Sequence, residues 1–462
     1  MFKRVLVANR GEIACRVLRS LERLGVEGIA VFSDADRAAP HVAAADQAFR
    51  LGPAPLAQSY LNADLVLQAA LDSGAEAIHP GYGLLSENAS FAERVRAAGM
   101  TFIGPPALAL AALGDKLRAR AVARSVGASP PPGSDGPVSP DDVERLTQEA
   151  QRIGYPILIK AAGGGGGIGM QVVREAGELG RAARSCADRG KAAFADDRIY
   201  LERYLDQPRH IEVQVLCDEH GQAVALGERE CSVQRRHQKI IEESPSPAAF
   251  FGGESGAARR HALYASALAI VQAVSYRGAG TVEFVANAEG ELFFLEVNAR
   301  LQVEHPVTEA VTGLDLVEQQ LLVASGERLA AEVLAVKTRG HAIEARVYAE
   351  DPARGFLPQP GRIEELIWPS GAGIRVDSGV TSGMEVTPHY DPMLAKIIAF
   401  GSDRTEALGR LDAALEATRL HLVGPKGDRA TNLAFLRKVL SAPEFVAGAY
   451  DTSLAETLVK RA

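Results

Sequence analysis

Cysteine is scarce in this chain: Cys15, Cys186, Cys217 and Cys231 are the four in 462 residues. They are widely separated, with no CxxC pair and no Cys/His spacing that suits zinc, which argues against a disulfide framework or a structural metal. Charge of one sign is also missing, since 50 Lys plus Arg stand against 58 Asp plus Glu for a net charge of −8. Without a basic excess or a Lys/Arg run the chain lacks the surface that displaces counterions from nucleic acid, so any basic site must be local. No apolar stretch approaches the ~20 residues of a membrane helix; the longest lies around Leu108 to Leu113. Met1 leads straight into Val5-Leu6-Val7, with no charged leader, apolar core and cleavage site in succession, so the expectation is a cytoplasmic protein without membrane association. What is present is a globular composition, 47% hydrophobic and 23% charged. At ~150 residues per domain the length suggests about three domains.

Residues 3–8 read as a strand, followed by a helix on which Ile13, Val17, Leu21 and Leu24 recur at helical spacing. Strands at 28–32, 76–79 and 101–103 alternate with helices at 64–71 and 91–98, the pattern of parallel βαβ units. Ligands in such sheets sit beyond the carboxyl ends of the strands, which places Asn9-Arg10-Gly11-Glu12 and the loop 79–83 there. The Pro- and Gly-rich segment 129–140 reads as a connector, with Ser139 as the N-cap of a following helix. Beyond about residue 335 the chain becomes strand-rich, at 342–348, 361–367, 373–377 and 396–400, before a helical tail.

The stretch Tyr155 to Lys160 reads as a strand that runs into the consecutive glycines Gly163 to Gly167, then Ile168, Gly169 and Met170. Gly164, Gly166 and Gly169 satisfy GxGxxG, but Gln171-Val172-Val173 reads as a strand, whereas a dinucleotide fingerprint needs a helix there. Strand, glycine loop, strand describes a flap over phosphates, whose entropic cost a bland linker would not require. Lys160 then becomes a phosphate ligand; the plainer alternative is a flexible linker beside a solvated lysine.

From Glu296 to Glu304 polar and apolar residues alternate, so a continuous extended chain puts Glu296, Asn298, Arg300, Gln302 and Glu304 on one side. A wet strand face is the plainer alternative, but acids, amides and a guanidinium together form the inventory for a metal and an oxyanion. If residues 287–290 form the hairpin loop, Glu283 faces Phe294 and lies diagonally near Glu296. Two such acids suit bridging Mg²⁺. The basic run 234–239 and the alternating Glu344, Arg346 and Tyr348 are further candidates; by pattern alone Arg346 reads as structural.

The segments LVANRGEIACRV, HPGYGLLSEN, GDK ending at Lys116, IKAAGGGGGIGM, ERECSVQRRHQKIIEESP, FFLEVNARLQVEHPVTE, GHAIEARVYAEDP and HYDPMLAKII carry a resemblance. The sequence resembles the biotin carboxylase family, the ATP-grasp subunits of biotin-dependent acyl-CoA carboxylases, over nearly its whole length. The resemblance implies a chain of α/β and α+β class in three parts. These are a Rossmann-like N-terminal domain (1–114), an ATP-grasp domain (115–334) with a mobile lid at about 132–204, and a strand-rich C-terminal domain (335–462). It implies ATP contacts from Lys116, Lys160, the lid residues Gly164, Gly165, Gly166, Gly167, Gly169 and Met170, and from Glu202, Leu205, His210, Gln234 and His237. Glu283, Glu296 and Asn298 match the Mg²⁺ (or Mn²⁺) positions, and Lys239, Arg300, Gln302 and the Val303 N–H the bicarbonate and phosphate pocket. Glu304 matches the general base and Arg346 the group that stabilises biotin enolate, which overrides the structural reading of Arg346.

The implied reaction is ATP- and bicarbonate-dependent carboxylation of biotin through carboxyphosphate. Met1, Met100, Met170, Met384 and Met393 include no Ala-Met-Lys-Met tetrapeptide, so biotin is expected on a separate carboxyl carrier protein, with a carboxyltransferase as another partner and a homodimer by analogy. Ile168 departs from the Arg or Lys often found in the family's lid, which predicts weaker ATP binding. Two other readings stay open on the residues: another ATP-grasp ligase working through an acyl phosphate, and a catalytically silent nucleotide-binding scaffold. A dehydrogenase fits least.

Overall fold

The computed structural model describes residues 1–163, 169–236 and 238–461. The alternating pattern at the N-terminus folds as expected into a parallel sheet, β1 (Arg4–Val7), β2 (Glu27–Ser33), β3 (Gln47–Gly52), β4 (Ala77–His79) and β5 (Thr101–Phe102), in the order β3-β2-β1-β4-β5. The strand β3 was not legible, because four of its six residues are exposed or half-buried and carry no apolar run. Helix α1 (Gly11–Arg23) buries Ile13, Val17 and Leu21 against this sheet.

Three antiparallel strands follow, in the order β7-β6-β8: β6 (Ile157–Ala161), β7 (Met170–Val173) and β8 (Ile199–Arg203). Lys160 pairs with Met170, so β6 and β7 form the two arms that flank the glycine stretch. Gly164, Gly165, Gly166, Gly167 and Ile168 themselves lie outside the described residues, as does His237. The connector before β6 touches β8 through the bridges Gly133↔Glu202 and Val138↔Ile199. Its helix (Val143–Ile153) is capped by Asp142, whose carboxylate accepts from the Arg145 N–H, and not by Ser139. Asp is as good a cap as Ser, and here it lies three residues before the donor that needs it.

Several of the candidate site residues lie on one large antiparallel sheet of eight strands. Its order is β13 (Leu292–Asn298), β12 (Gly278–Ala286), β9 (Arg209–Cys217), β10 (Ala223–Arg235), β11 (Gln238–Ser244), β14 (His341–Tyr348), then Met393–Gly401 and Ile374–Ser378. The pairing of β11 with β14 makes this sheet continuous across the point where the sequence turns strand-rich. The helical tail is interrupted by a hairpin, Arg419–Gly424 with Gly427–Arg429, that joins Gly361–Ile367 in a small separate sheet. Among the described residues no helix is long and apolar enough to cross a membrane.

Candidate active site

The hairpin β12–β13 differs from the expected register. Asn287 N–H donates to the Glu291 carbonyl, so the loop takes five residues, and a bulge shifts the ladder once more between Phe284↔Phe294 and Glu283↔Glu296. Glu283 therefore stands directly opposite Glu296 rather than opposite Phe294. Two neighbouring pairings extend the row: Glu283 with Glu212 on β9, and Glu212 with Arg229 on β10. Three carboxylates and one guanidinium thus lie side by side across four strands. Like charges directly opposite repel, so cations must reach them.

They do. The Lys239 ammonium, opposite Gln234 near the start of β11, donates to Glu212 at 2.5 Å, Glu283 at 2.8 Å and Glu304 at 2.7 Å. Burial alone would lower its pKa, but the three carboxylates hold it well above the usual lysine range. His210 Nε2 lies 3.1 Å from Glu283, with its Nδ1 2.9 Å from the Gln234 side-chain nitrogen. Glu283 is buried, yet Lys239 and His210 keep its carboxyl far below the ordinary range. Lys116 reaches Glu296 at 3.0 Å. Arg229, fully buried, spends its donors on Glu212 (2.5 Å), Gln214 (2.7 Å), Thr308 (2.9 Å) and Thr281 (2.9 Å).

Strict alternation from Glu296 to Glu304 does not persist as a strand. β13 ends at Asn298, and Glu304 sits in a turn (φ −80, ψ 10) that opens the helix His305–Thr312. Pro306 at the start of that helix favours this break. The side chains nevertheless converge: Arg300 donates to Asn298 Oδ1 (3.0 Å) and Gln302 Oε1 (2.9 Å), and Asn298 donates to Glu283 (2.8 Å). Arg300 also donates to Glu87 Oε2 at 2.9 Å, while Glu87 Oε1 accepts the Ala299 N–H at 3.1 Å.

Arg346, on β14, donates to Glu304 Oε2 at 2.9 Å and lies 2.5 Å from Glu242 Oε1. Burial would raise the Glu304 carboxyl, but Lys239, Arg346 and Arg229 together push it well below the usual carboxylate range. The turn itself is tied from behind. Lys396, fully buried, donates to the Val303 carbonyl at 2.7 Å and pairs with Glu12 of α1 at 3.1 Å. Five residues beyond Glu304, Glu309 is held by Arg16 of α1 at 2.7 Å and by Arg375 at 2.6 Å.

The small sheet carries a second charge group, and Lys116 links the two, since it acts on Glu202 as well as on Glu296. Lys160 pairs with Glu202 at 2.5 Å, and Arg120 shares the same carboxylate. Leu205 is half-buried after β8, and Gly169 takes a left-handed φ of +74 where it leads into Met170. Glu212, Glu242, Glu87 and Arg229 were not singled out from the sequence. His210, Glu212 and Gln214 alternate with apolar residues along β9, a signal of the same kind as that on β13. Ligand atoms of His210, Glu212 and Glu283 lie within 4.8 Å of one another. The oxygens of Glu283, Glu296 and Asn298 form the carboxylate and amide donor set that a hard divalent cation takes.

Three family descriptions match the chain in succession: "Biotin carboxylase, N-terminal domain" over residues 1–110, "Carbamoyl-phosphate synthase L chain, ATP binding domain" over 115–332, and "Biotin carboxylase C-terminal domain" over 344–457. The biotin carboxylase of Haemophilus influenzae is 50% identical over 418 residues, 90% of this chain and 91% of the relative. The chain belongs to the biotin carboxylase family. As a biotin carboxylase it is an ATP-dependent ligase. Other members are comparably similar: the propionyl-CoA carboxylase alpha chain of Ruegeria pomeroyi is 44% identical over 98% of this chain and 67% of its own. The biotin carboxylase domain dimer of Hydrogenobacter thermophilus 2-oxoglutarate carboxylase, solved with MgADP, ADP and bicarbonate, superposes with a TM-score of 0.93 at 41% identity, covering 99% of this chain and 98% of that one.

Proposed function

We propose that the chain uses ATP and bicarbonate to carboxylate biotin held on a separate carboxyl carrier protein, as the biotin carboxylase subunit of an acyl-CoA carboxylase. The observation that carries this reading is the convergence of Lys239, Arg346 and Glu304 beside the facing acids Glu283 and Glu296. In this reading the chain divides into 1–114, 115–334 with a lid at about 132–204, and 335–462.

Glu283, Glu296 and Asn298 hold Mg²⁺ or Mn²⁺, which when bound supplies positive charge to the phosphates of ATP. Lys116, Lys160, Gly169, Met170, Glu202, Leu205, His210 and Gln234 contact the nucleotide, with Gly164, Gly165, Gly166, Gly167 and His237. Arg300, Gln302, Val303 and Lys239 hold bicarbonate, and Glu304 removes its proton as a bicarbonate oxygen attacks the γ-phosphorus, breaking the bond to the β-phosphate oxygen so that ADP leaves and carboxyphosphate forms. A carboxylate held far below its ordinary pKa is a poor base. Anionic substrates that draw Lys239 toward themselves, and biotin that engages Arg346, relieve Glu304 of its neighbouring cations and return its basicity when both substrates are in place. Carboxyphosphate then yields CO₂ and phosphate; phosphate takes the ureido N1′ proton of biotin, Arg346 faces the enolate oxygen, and N1′ attacks the CO₂ carbon to form the N–C bond of carboxybiotin.

The Ruegeria relative favours an acyl-CoA as final acceptor, reached through a carboxyltransferase partner, and the dimeric Hydrogenobacter domain favours a homodimer. A cytoplasmic location agrees with this chemistry. The test is ATP hydrolysis measured with and without bicarbonate and free biotin. Bicarbonate-dependent, biotin-stimulated turnover is expected; turnover that needs neither, or nucleotide binding without turnover, overturns the reading.

A further inference from the structure

Beneath Arg346 lie two carboxyl groups that the reaction scheme does not use. Glu242 on β11 and Glu344 on β14 are direct cross-strand partners, both fully buried. Direct antiparallel neighbours project to the same face of the sheet, with Cβ atoms ~4.5–5.5 Å apart. Among the described residues no hydrogen-bond donor reaches any of their four carboxylate oxygens, apart from the ion-pair approach of Arg346 Nη2 to Glu242 Oε1 at 2.5 Å.

Here one guanidinium stands against two facing carboxyl groups away from water, which disfavours ionising both, and their unpartnered oxygens lack a hydrogen. A single proton between them answers both problems. We infer that Glu242 and Glu344 share one proton and form a positioning pair for Arg346: the carboxylic acid of Glu344 donates to the Glu242 carboxylate, which keeps the guanidinium aimed at Glu304 and the biotin site. The part of this inference that concerns biotin rests on the function proposed above; the shared proton does not.

The surrounding charges agree. Glu242 is faced by Arg346 and Glu344 from β14, by Glu304 from the turn before its helix, by Lys239 from its own strand and by Cys231 from β10. Burial outweighs Arg346 and raises the Glu242 carboxyl to about 7. Glu344, faced by Lys396, Glu242, Arg346 and Glu304, is pushed by burial well above its ordinary value, so it is the one that keeps the last proton. Raising the pH strips that proton and leaves two anions where the pair held one.

The full chain tests this in two ways. Infrared difference spectra across a pH titration should show a buried carboxylic acid at neutral pH that ionises only in alkali, and Glu344→Gln should abolish that band. In kinetics the KM for free biotin should rise on the order of tenfold as the wild type loses the proton, by misplacement of Arg346. Glu344→Gln, whose amide still donates but cannot ionise, should flatten that alkaline rise. If Glu344→Gln does not fold, Glu242→Gln serves, because removal of the facing carboxylate must move the pH at which the band titrates. A wild type without the band, a band that either variant leaves unaltered, or an alkaline limb that survives Glu344→Gln overturns the shared proton. Absence of bicarbonate-dependent turnover in the wild type would instead overturn the proposed function and leave the infrared result standing.

Discussion

Lys239 on the eight-stranded sheet, half-buried, and Lys160 on the three-stranded sheet, buried, are both lysines paired with glutamate, yet their surroundings differ. Lys239 is the shared cation of Glu212, Glu283 and Glu304, which come from two strands and a turn. Among the described residues Lys160 pairs with Glu202, a carboxylate that Arg120 also neutralises. The large sheet therefore depends on its lysine to exist as a folded charge cluster, whereas the small sheet can lend its lysine to a ligand and keep its own ion pair. Charge placed where many strands meet serves stability and chemistry together; charge placed at a peripheral hairpin is free to serve binding.

The sharpest way to break this contrast is Glu304→Gln, which should cut bicarbonate-dependent ATP hydrolysis by about 10²–10⁴-fold, the range of a general base. Near-normal turnover would remove Glu304 from the chemistry. Lys239→Met should destabilise the fold by about 3–5 kcal/mol in denaturant unfolding, because it strands buried carboxylates. Lys160→Met should lose less than half as much stability, since Arg120 remains. Its KM for ATP should rise roughly ten- to a hundredfold, reflecting the ~1.5–3 kcal/mol of one charge-assisted hydrogen bond. Equal stability losses in the two variants would erase the distinction.

A pH series sharpens the stability side. In the large sheet Glu243 is buried, but His341 and Arg404 hold its carboxyl down at about 2. A depressed carboxyl contributes stability that is complete above its unfolded value near 4.5 and is lost as the pH falls toward about 2. Glu243→Gln should therefore narrow the stability gap to wild type between those limits when unfolding is followed by circular dichroism. The smallest effect belongs to the glycine stretch: Ile168→Arg should tighten ATP binding by roughly two- to fivefold, the size of an exposed ion pair of ~0.2–1 kcal/mol, as measured by calorimetry.

Much of the scaffold was readable because burial imposes periodicity. The parallel N-terminal sheet, the strand on either side of the glycines and the acid-bearing hairpin all follow from local patterns. The pairing of Glu283 with Glu296 was not, because one added loop residue and one bulge shifted the register by two. Alternation also overran the real strand, since nothing in residues 299–304 marks the turn and the signal, Pro306, comes two positions after Glu304. Arg346 looked structural because its strand alternates like many others; its partners Glu242 and Glu304 lie 104 and 42 residues away in sequence. Glu87 and Lys396 lay within recognised segments without a role, and only tertiary contacts reveal that they brace Arg300 and the Val303 carbonyl.

The helix His305–Thr312 is eight residues long, about 12 Å at 1.5 Å per residue. One end carries Glu304, and Glu309 near the other is pinned between Arg16 and Arg375. Such a rod behaves as a lever with a fixed fulcrum. A tilt of α1 or of the strand bearing Arg375 would be passed along the helix to the carboxylate at its tip, so the alignment of Glu304 depends on this anchorage as well as on its immediate neighbours.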